Sequence, residues 1–115
     1  MKDLPFEITF IDANDRLRYY TEQPDMLFLR TKVALGRKVG LCHPPSSLHL
    51  IKRIVEDFKS GKRDVAEFWI DMGGRKVHIR YSPVRDDQGN YMGTVEVVQD
   101  ITNIQKLSGE KRLLS

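Results

Sequence analysis

The chain has 115 residues, 40% of them hydrophobic and 30% charged, which is the size and mixture of one folded unit. A chain this long buries about two-thirds of its unfolded surface, so it needs neither a disulfide nor a metal for stability. The single cysteine excludes an internal disulfide and fits a reducing cytoplasm. No apolar run approaches the roughly 20 residues of a membrane span, and the first residues lack a secretory apolar core. The net charge of +3 is interspersed along the chain. That pattern argues against a nucleic-acid partner, which calls for a concentrated basic face.

Residues 4–21 read as a hairpin. Phe6, Ile8 and Phe10 alternate with Glu7 and Thr9, the period-2 signal of a half-buried strand. Asp12-Ala13-Asn14-Asp15 supplies the turn, and Leu17 to Tyr20 a short partner strand. Residues 21–45 are expected to form short helices at 23–29 and 33–35, because Gly36, Gly40, Pro44 and Pro45 interrupt anything longer. Residues 46–59 predict an amphipathic helix capped by Ser46 or Ser47 and stopped at Gly61. Leu48, Leu50, Ile51, Ile54, Val55 and Phe58 fall on one side of it. Residues 65–101 predict three strands, with Gly73-Gly74 as a tight hairpin and residues 86–90 as the next turn. Residues 103–114 could continue as a helix, giving a domain over 1–102 and a C-terminal helical extension over 103–115.

The order is ββαααβββ. Two strands before the helices and three after must share one antiparallel sheet, because neither set alone covers its apolar face. The expectation is an α+β fold: a five-stranded antiparallel sheet, helices over one face, and a small cavity between them. Its lining would come from Phe10, Phe68, Ile70, Val77, Ile79, Tyr81, Val95 and Val97, under Leu48, Ile51, Ile54 and Val55. Tyr81 and Gln99 would supply inward polar groups.

Three segments in this order resemble a PAS domain. They are residues 8–19 with Asp12 closing the first strand, Leu35-Gly36-Arg37-Lys38-Val39 between helices, and Gly93 to Thr102 ending in Asp-Ile-Thr. Cys42-His43-Pro44-Pro45-Ser46 and Glu67-Phe68-Trp69-Ile70 further resemble a bacterial group of the family. In that group the PAS module follows an uncharacterised N-terminal domain and a hemerythrin-like domain. The resemblance implies a ligand pocket or signal relay, frequent dimers, and neighbouring domains as partners.

Several residues carry candidate chemistry. His43, beside Cys42 in a proline-stiffened turn, is placed where the family's haem-binding members use a histidine, and imidazole is a common haem ligand. The plain alternative is a loop histidine in water with Cys42 packed as a small apolar group. Arg37 offers a planar fork to a carboxylate ligand, or is an ordinary exposed arginine. Ile54, Phe68, Ile79, Tyr81, Val95 and Val97 complete the candidate ligand-binding set. Trp69 points away from the cavity face, where a wet tryptophan is expensive. It either docks a second copy or a neighbouring helix, or lies under the chain's own termini. His49 and His78 face away from the cavity and the histidines do not converge, so zinc is rejected. No nucleophile motif, phosphate loop or converging acid pair occurs, so no catalytic role is expected. The function expected is sensing or regulation, in which a small ligand or partner changes the packing of helix on sheet. The alternative is a ligand-free interaction and dimerisation module.

Overall fold

The computed structural model describes residues 5–21 and 45–113, with side chains in the helix described from Leu50 onward. The strands are β1 (Glu7–Asp12), β2 (Leu17–Tyr20), β3 (Ala66–Met72), β4 (Arg75–Arg85) and β5 (Tyr91–Asp100), and the helix α1 (Pro45–Lys59) precedes β3. All five strands pair antiparallel in the order β2-β1-β5-β4-β3. The α+β sheet expected from the element order is therefore present. The expected short helices at 23–29 and 33–35 lie outside the described residues. Among the described residues, no helix is long and apolar enough to cross a membrane.

α1 begins at Pro45, one residue before the expected start. Proline suits a first helical position, because its missing N–H would have no intrahelical partner there. Gly61 ends the helix in the left-handed conformation at φ 77°. The Gly61 amide donates to the Phe58 carbonyl at 3.2 Å and the Lys62 amide to the Asp57 carbonyl at 2.9 Å, which satisfies two carbonyls of the last turn. Ile51, Val55 and Phe58 are buried and Ile54 is half-buried. Ile51 and Phe58, with Ile54 beside them, pack with Ile11, Ala66, Val77, Ile79, Tyr81 and Val98 as one core. Leu50 lies at the rim of the apolar stripe and is 52% exposed.

The register of β5 corrects the predicted lining. Ile79 pairs with Val98 and Tyr81 with Glu96, and across β1 Thr9 pairs with Glu96 and Ile11 with Thr94. Residues paired across an antiparallel ladder share a face. The helix-facing side of β1 and β5 is thus Glu7, Thr9, Ile11, Thr94, Glu96 and Val98. Phe10, which pairs with Val95, and Ile8, which pairs with Val97, lie on the opposite side. Val95, Val97, Phe10 and Gln99 therefore do not line the side under α1. The cause is a bulge between Val84 and Arg85. Arg85 pairs with Tyr91, a register that carried through would put Val95 and Val97 beside Tyr81 and Ile79. The bulge displaces the pairing by one residue and turns every β5 side chain over.

The C-terminal extension also differs from expectation. A single 3-10 turn spans Ile104–Lys106, and Leu107 is already extended at φ −66°, ψ 140°. Ile104 and Leu107 are 48% and 77% exposed, so the turn buries no apolar face. A helix this short is marginal without tertiary packing.

Two substitutions measure these contacts by denaturant unfolding. Phe58→Ala, at a side chain with no exposed surface, is expected to lose about 3–5 kcal/mol. Gly93→Ala is expected to lose about 1–3 kcal/mol, because an added Cβ would meet the Ile11 carbonyl oxygen and lie 2.6 Å from the Phe10 ring. Wild-type stability in Gly93→Ala would refute the close β1–β5 approach.

Candidate functional site

The helix-facing surface of the sheet is half apolar and half polar. Ala66, Phe68, Ile70, Val77, Ile79 and Tyr81 make the β3–β4 half, where the Phe68 and Tyr81 rings stack with centroids 6.0 Å apart. The β1–β5 half carries Glu7, Thr9, Thr94 and Glu96, all buried. Buried polar groups are costly unless they are hydrogen-bonded, and Glu7 and Glu96 are both engaged within the protein. At the end of this row the Tyr91 hydroxyl and Thr94 Oγ1 share a 2.7 Å hydrogen bond. Burial pushes the Tyr91 phenol above its ordinary range, against the Thr94 hydrogen bond. Lys59 Nζ lies 5.8 Å from the centre of the Tyr91 ring and 3.3 Å from Asp15 Oδ1, which joins the end of α1 to the β1–β2 turn. The row therefore sets buried hydroxyl and carboxylate groups in a layer otherwise made of hydrocarbon.

The predicted site residues divide accordingly. Ile54, Ile79, Tyr81 and Phe68 share the helix side, with Ile79 and Tyr81 buried and Phe68 38% exposed near the sheet edge. Val95 and Val97 are on the other side. Arg37, Cys42 and His43 lie outside the described residues, as does the Leu48 side chain. Sequence reasoning missed Thr9, Thr94 and Glu96, since each stands in an alternation whose valines and phenylalanine were assigned to the covered face. Among the described residues, no cluster of three or more His, Cys, Asp or Glu side chains could hold a metal ion.

Where the sheet ends, the chain is latched. Thr102 donates its amide and its hydroxyl to Asp100 Oδ1, at 2.9 and 2.5 Å. Thr102 Oγ1 accepts the Lys76 amide at 2.9 Å, and the Ile101 amide donates to the Lys76 carbonyl at 2.8 Å. The Thr102 hydroxyl and amide hold the Asp100 carboxyl below the ordinary 3.8. Asp12 plays the same part after β1. Its Oδ1 accepts the amides of Asn14 and Arg16 at 2.9 and 3.0 Å, and Oδ2 accepts from Arg18 Nε at 2.6 Å. Partial burial opposes the Asp12 charge, but Arg18 and the two amides outweigh it and hold the carboxyl below the usual range.

On the opposite side of the sheet His78 Nε2 and Glu67 Oε2 are 2.6 Å apart. Trp69, cross-strand from His78, is 62% exposed. None of the described C-terminal residues covers it to burial.

A PAS domain family model matches residues 1–102. The crystal structure of a C-terminal domain from Streptococcus mutans is 38% identical, with a TM-score of 0.84 over 93% of this chain and 84% of that one. A PAS domain from Colwellia psychrerythraea is 15% identical, with a TM-score of 0.63 over 89% of this chain and 91% of that one. A sensory box sensor histidine kinase from Vibrio cholerae is 12% identical, with a TM-score of 0.66 over 86% and 83%. No curated protein matches the chain.

The lowered carboxyls of Asp12 and Asp100 fix the sign of an acid dependence. A group with a depressed folded pKa stabilises above its unfolded value and loses that contribution as pH falls through the folded one. Stability is thus expected to hold down to about pH 4 and to fall below it. Asp12→Asn should lower stability at neutral pH and flatten the acid slope. An unchanged slope in chemical denaturation from pH 6 down to about pH 2 would rule the Asp12 network out as a contributor.

Proposed function

We propose that this chain, which belongs to the PAS domain family, is a sensory or regulatory domain. A polar small molecule or a partner acting on the helix side of the sheet changes its packing, and the change leaves through Asp100-Ile101-Thr102. The observation that carries this reading is that β5 holds both ends of the route. Thr94 and Glu96 on β5 belong to the buried polar row, and Asp100 at its end fastens Thr102 to Lys76 of β4. A shift of α1 over Thr94 and Tyr91 therefore acts on the strand that carries the latch. The likeness to structures described as the PAS domain of a histidine kinase and the sensor region of a sensor histidine kinase is in keeping with a relay. Companion domains, including the hemerythrin-like one suggested by Cys42 to Ser46, would receive or supply the signal. A cytoplasmic setting is in keeping with the lone cysteine.

Native mass spectrometry of the purified protein identifies any retained small molecule, and adding that molecule back tests the relay. A ligand at about 100 times its Kd is expected to stabilise the fold by about 2.7 kcal/mol and to alter amide exchange at residues 100–106. Thr102→Val should keep the binding and lose the change at the exit. Binding with no change at residues 100–106 would remove the relay. The haem form of the reading predicts a Soret band on adding haem that disappears in His43→Ala, and an unchanged band would exclude His43 as the ligand.

A second reading, favoured by the 62% exposure of Trp69, is a docking module that holds no ligand. Trp69→Ala is expected to weaken self-association or domain docking and to leave any small-molecule affinity unchanged. Association that withstands Trp69→Ala would count against it.

A further inference from the structure

The two edges of the sheet are protected to different degrees. β2 is four residues long, carries Arg18, and its pairing with β1 is broken by a bulge between Phe10 and Ile11. Short strands, basic side chains and bulges are the usual means of blocking an incoming strand. β3 has none of them. It runs seven residues, Ala66 to Met72, without proline, lysine or arginine, and its pairing with β4 is unbroken. Glu67, Phe68, Trp69, Ile70 and Asp71 are consecutive and exposed, so both faces of the strand are open along with its edge. Its two carboxylates do not guard it, because Glu67 is held by His78 at 2.6 Å and Asp71 by Lys76 at 2.5 Å, both on β4.

We propose that β3 is the seam of a homodimer, pairing antiparallel with β3 of a second copy so that two five-stranded sheets continue as one. The inference deepens the docking reading of Trp69 and does not depend on a ligand. A strand paired with itself about a two-fold axis is an isologous contact that closes at two copies. Like charges opposite one another weaken a ladder, and this selects the register. Centring the axis on Trp69 would set Glu67 against Asp71 of the second copy. Centring it on Phe68 sets Glu67 against Trp69 and Ala66 against Ile70, with the two Phe68 rings meeting on the helix side. The carboxylates then face aromatic and aliphatic neighbours while His78 and Lys76 balance their charge. With that axis the two strands overlap over five residues, Ala66 to Ile70, a seam in the size class of weak, concentration-dependent association.

Sedimentation velocity over a concentration series, combined with amide exchange, tests the seam. The wild-type protein is expected to pass from monomer to dimer as concentration rises. Alternate β3 amides, those turned away from β4, should gain protection only in the dimer. The double variant Trp69→Lys with Ile70→Lys places cations on the edge and is expected to stay monomeric with an unchanged circular dichroism spectrum. Tyr19→Lys, on the opposite side of the molecule from this edge, should dimerise like wild type. If the double variant misfolds, the exchange pattern of the wild-type protein decides alone. A wild-type protein that is monomeric throughout overturns the proposal. A dimer that shows no alternate protection in β3, or that Tyr19→Lys dissolves, also overturns the seam while leaving Trp69 as a docking residue on the sheet face.

Discussion

The structure depends on the two ladders of β5. On one side it pairs with β1 from Glu7–Val98 to Asp12–Gly93, and on the other with β4 from Val77–Asp100 to Arg85–Tyr91. The first strands of the chain and the last ones meet only through it. Neither part alone has the strands to make a stable layer. α1 can bury Ile51 and Phe58 in one core with both Ile11 and Val77 only because β5 brings those residues to one surface. Gly93 marks the closeness of that join, since no side chain fits between it, the Ile11 carbonyl and the Phe10 ring.

From this join follows the division of the covered surface. The β4 side contributes hydrocarbon and aromatic rings, and the β1 side hydroxyls and carboxylates. A purely apolar layer would pack more simply, because every buried polar atom needs a partner. The retained row of Thr9, Thr94 and Glu96 gives the interior hydrogen-bonding groups, and the Tyr91–Thr94 and Lys59–Asp15 contacts tie those groups to the end of the helix. At the other end of β5, Asp100, Thr102 and Lys76 hold the outgoing chain against β4. The interior and the exit are thus parts of one strand.

The five strands, the long helix, their order and their sharing of one antiparallel sheet were legible in the sequence. Alternation in 65–81, the Gly73-Gly74 turn and the spacing of Ile51, Val55 and Phe58 each determine a local geometry that the sheet and helix then adopt. Phe10, Val95 and Val97 were also correctly grouped on one face, because β1 and β5 share an unbroken ladder. Which face that was could not be read. β5 has valines of both parities, at 95 and 97 and at 98, so periodicity alone leaves two answers. The choice rests on a single extra residue, Met92, opposite Val84/Arg85, and the only mark of it in the sequence is the neighbouring strand glycine, Gly93. The same displacement hid Thr9, Thr94 and Glu96. The expected C-terminal helix fails for another reason: Ile104 and Leu107 have helical spacing, but neither is buried.

That bulge is where the two sides of the sheet are assigned. Met92 is its extra residue, standing between the pairs Arg85–Tyr91 and Val84–Gly93. Were the Arg85–Tyr91 register carried through instead, β5 would turn over and, with its ladder to β1 intact, β1 would turn with it. Thr9, Thr94 and Glu96 would then leave the covered side, and Phe10, Val95 and Val97 would enter it. The polarity of the interior thus hangs on one unpaired residue beside a hairpin and on no residue of the walls.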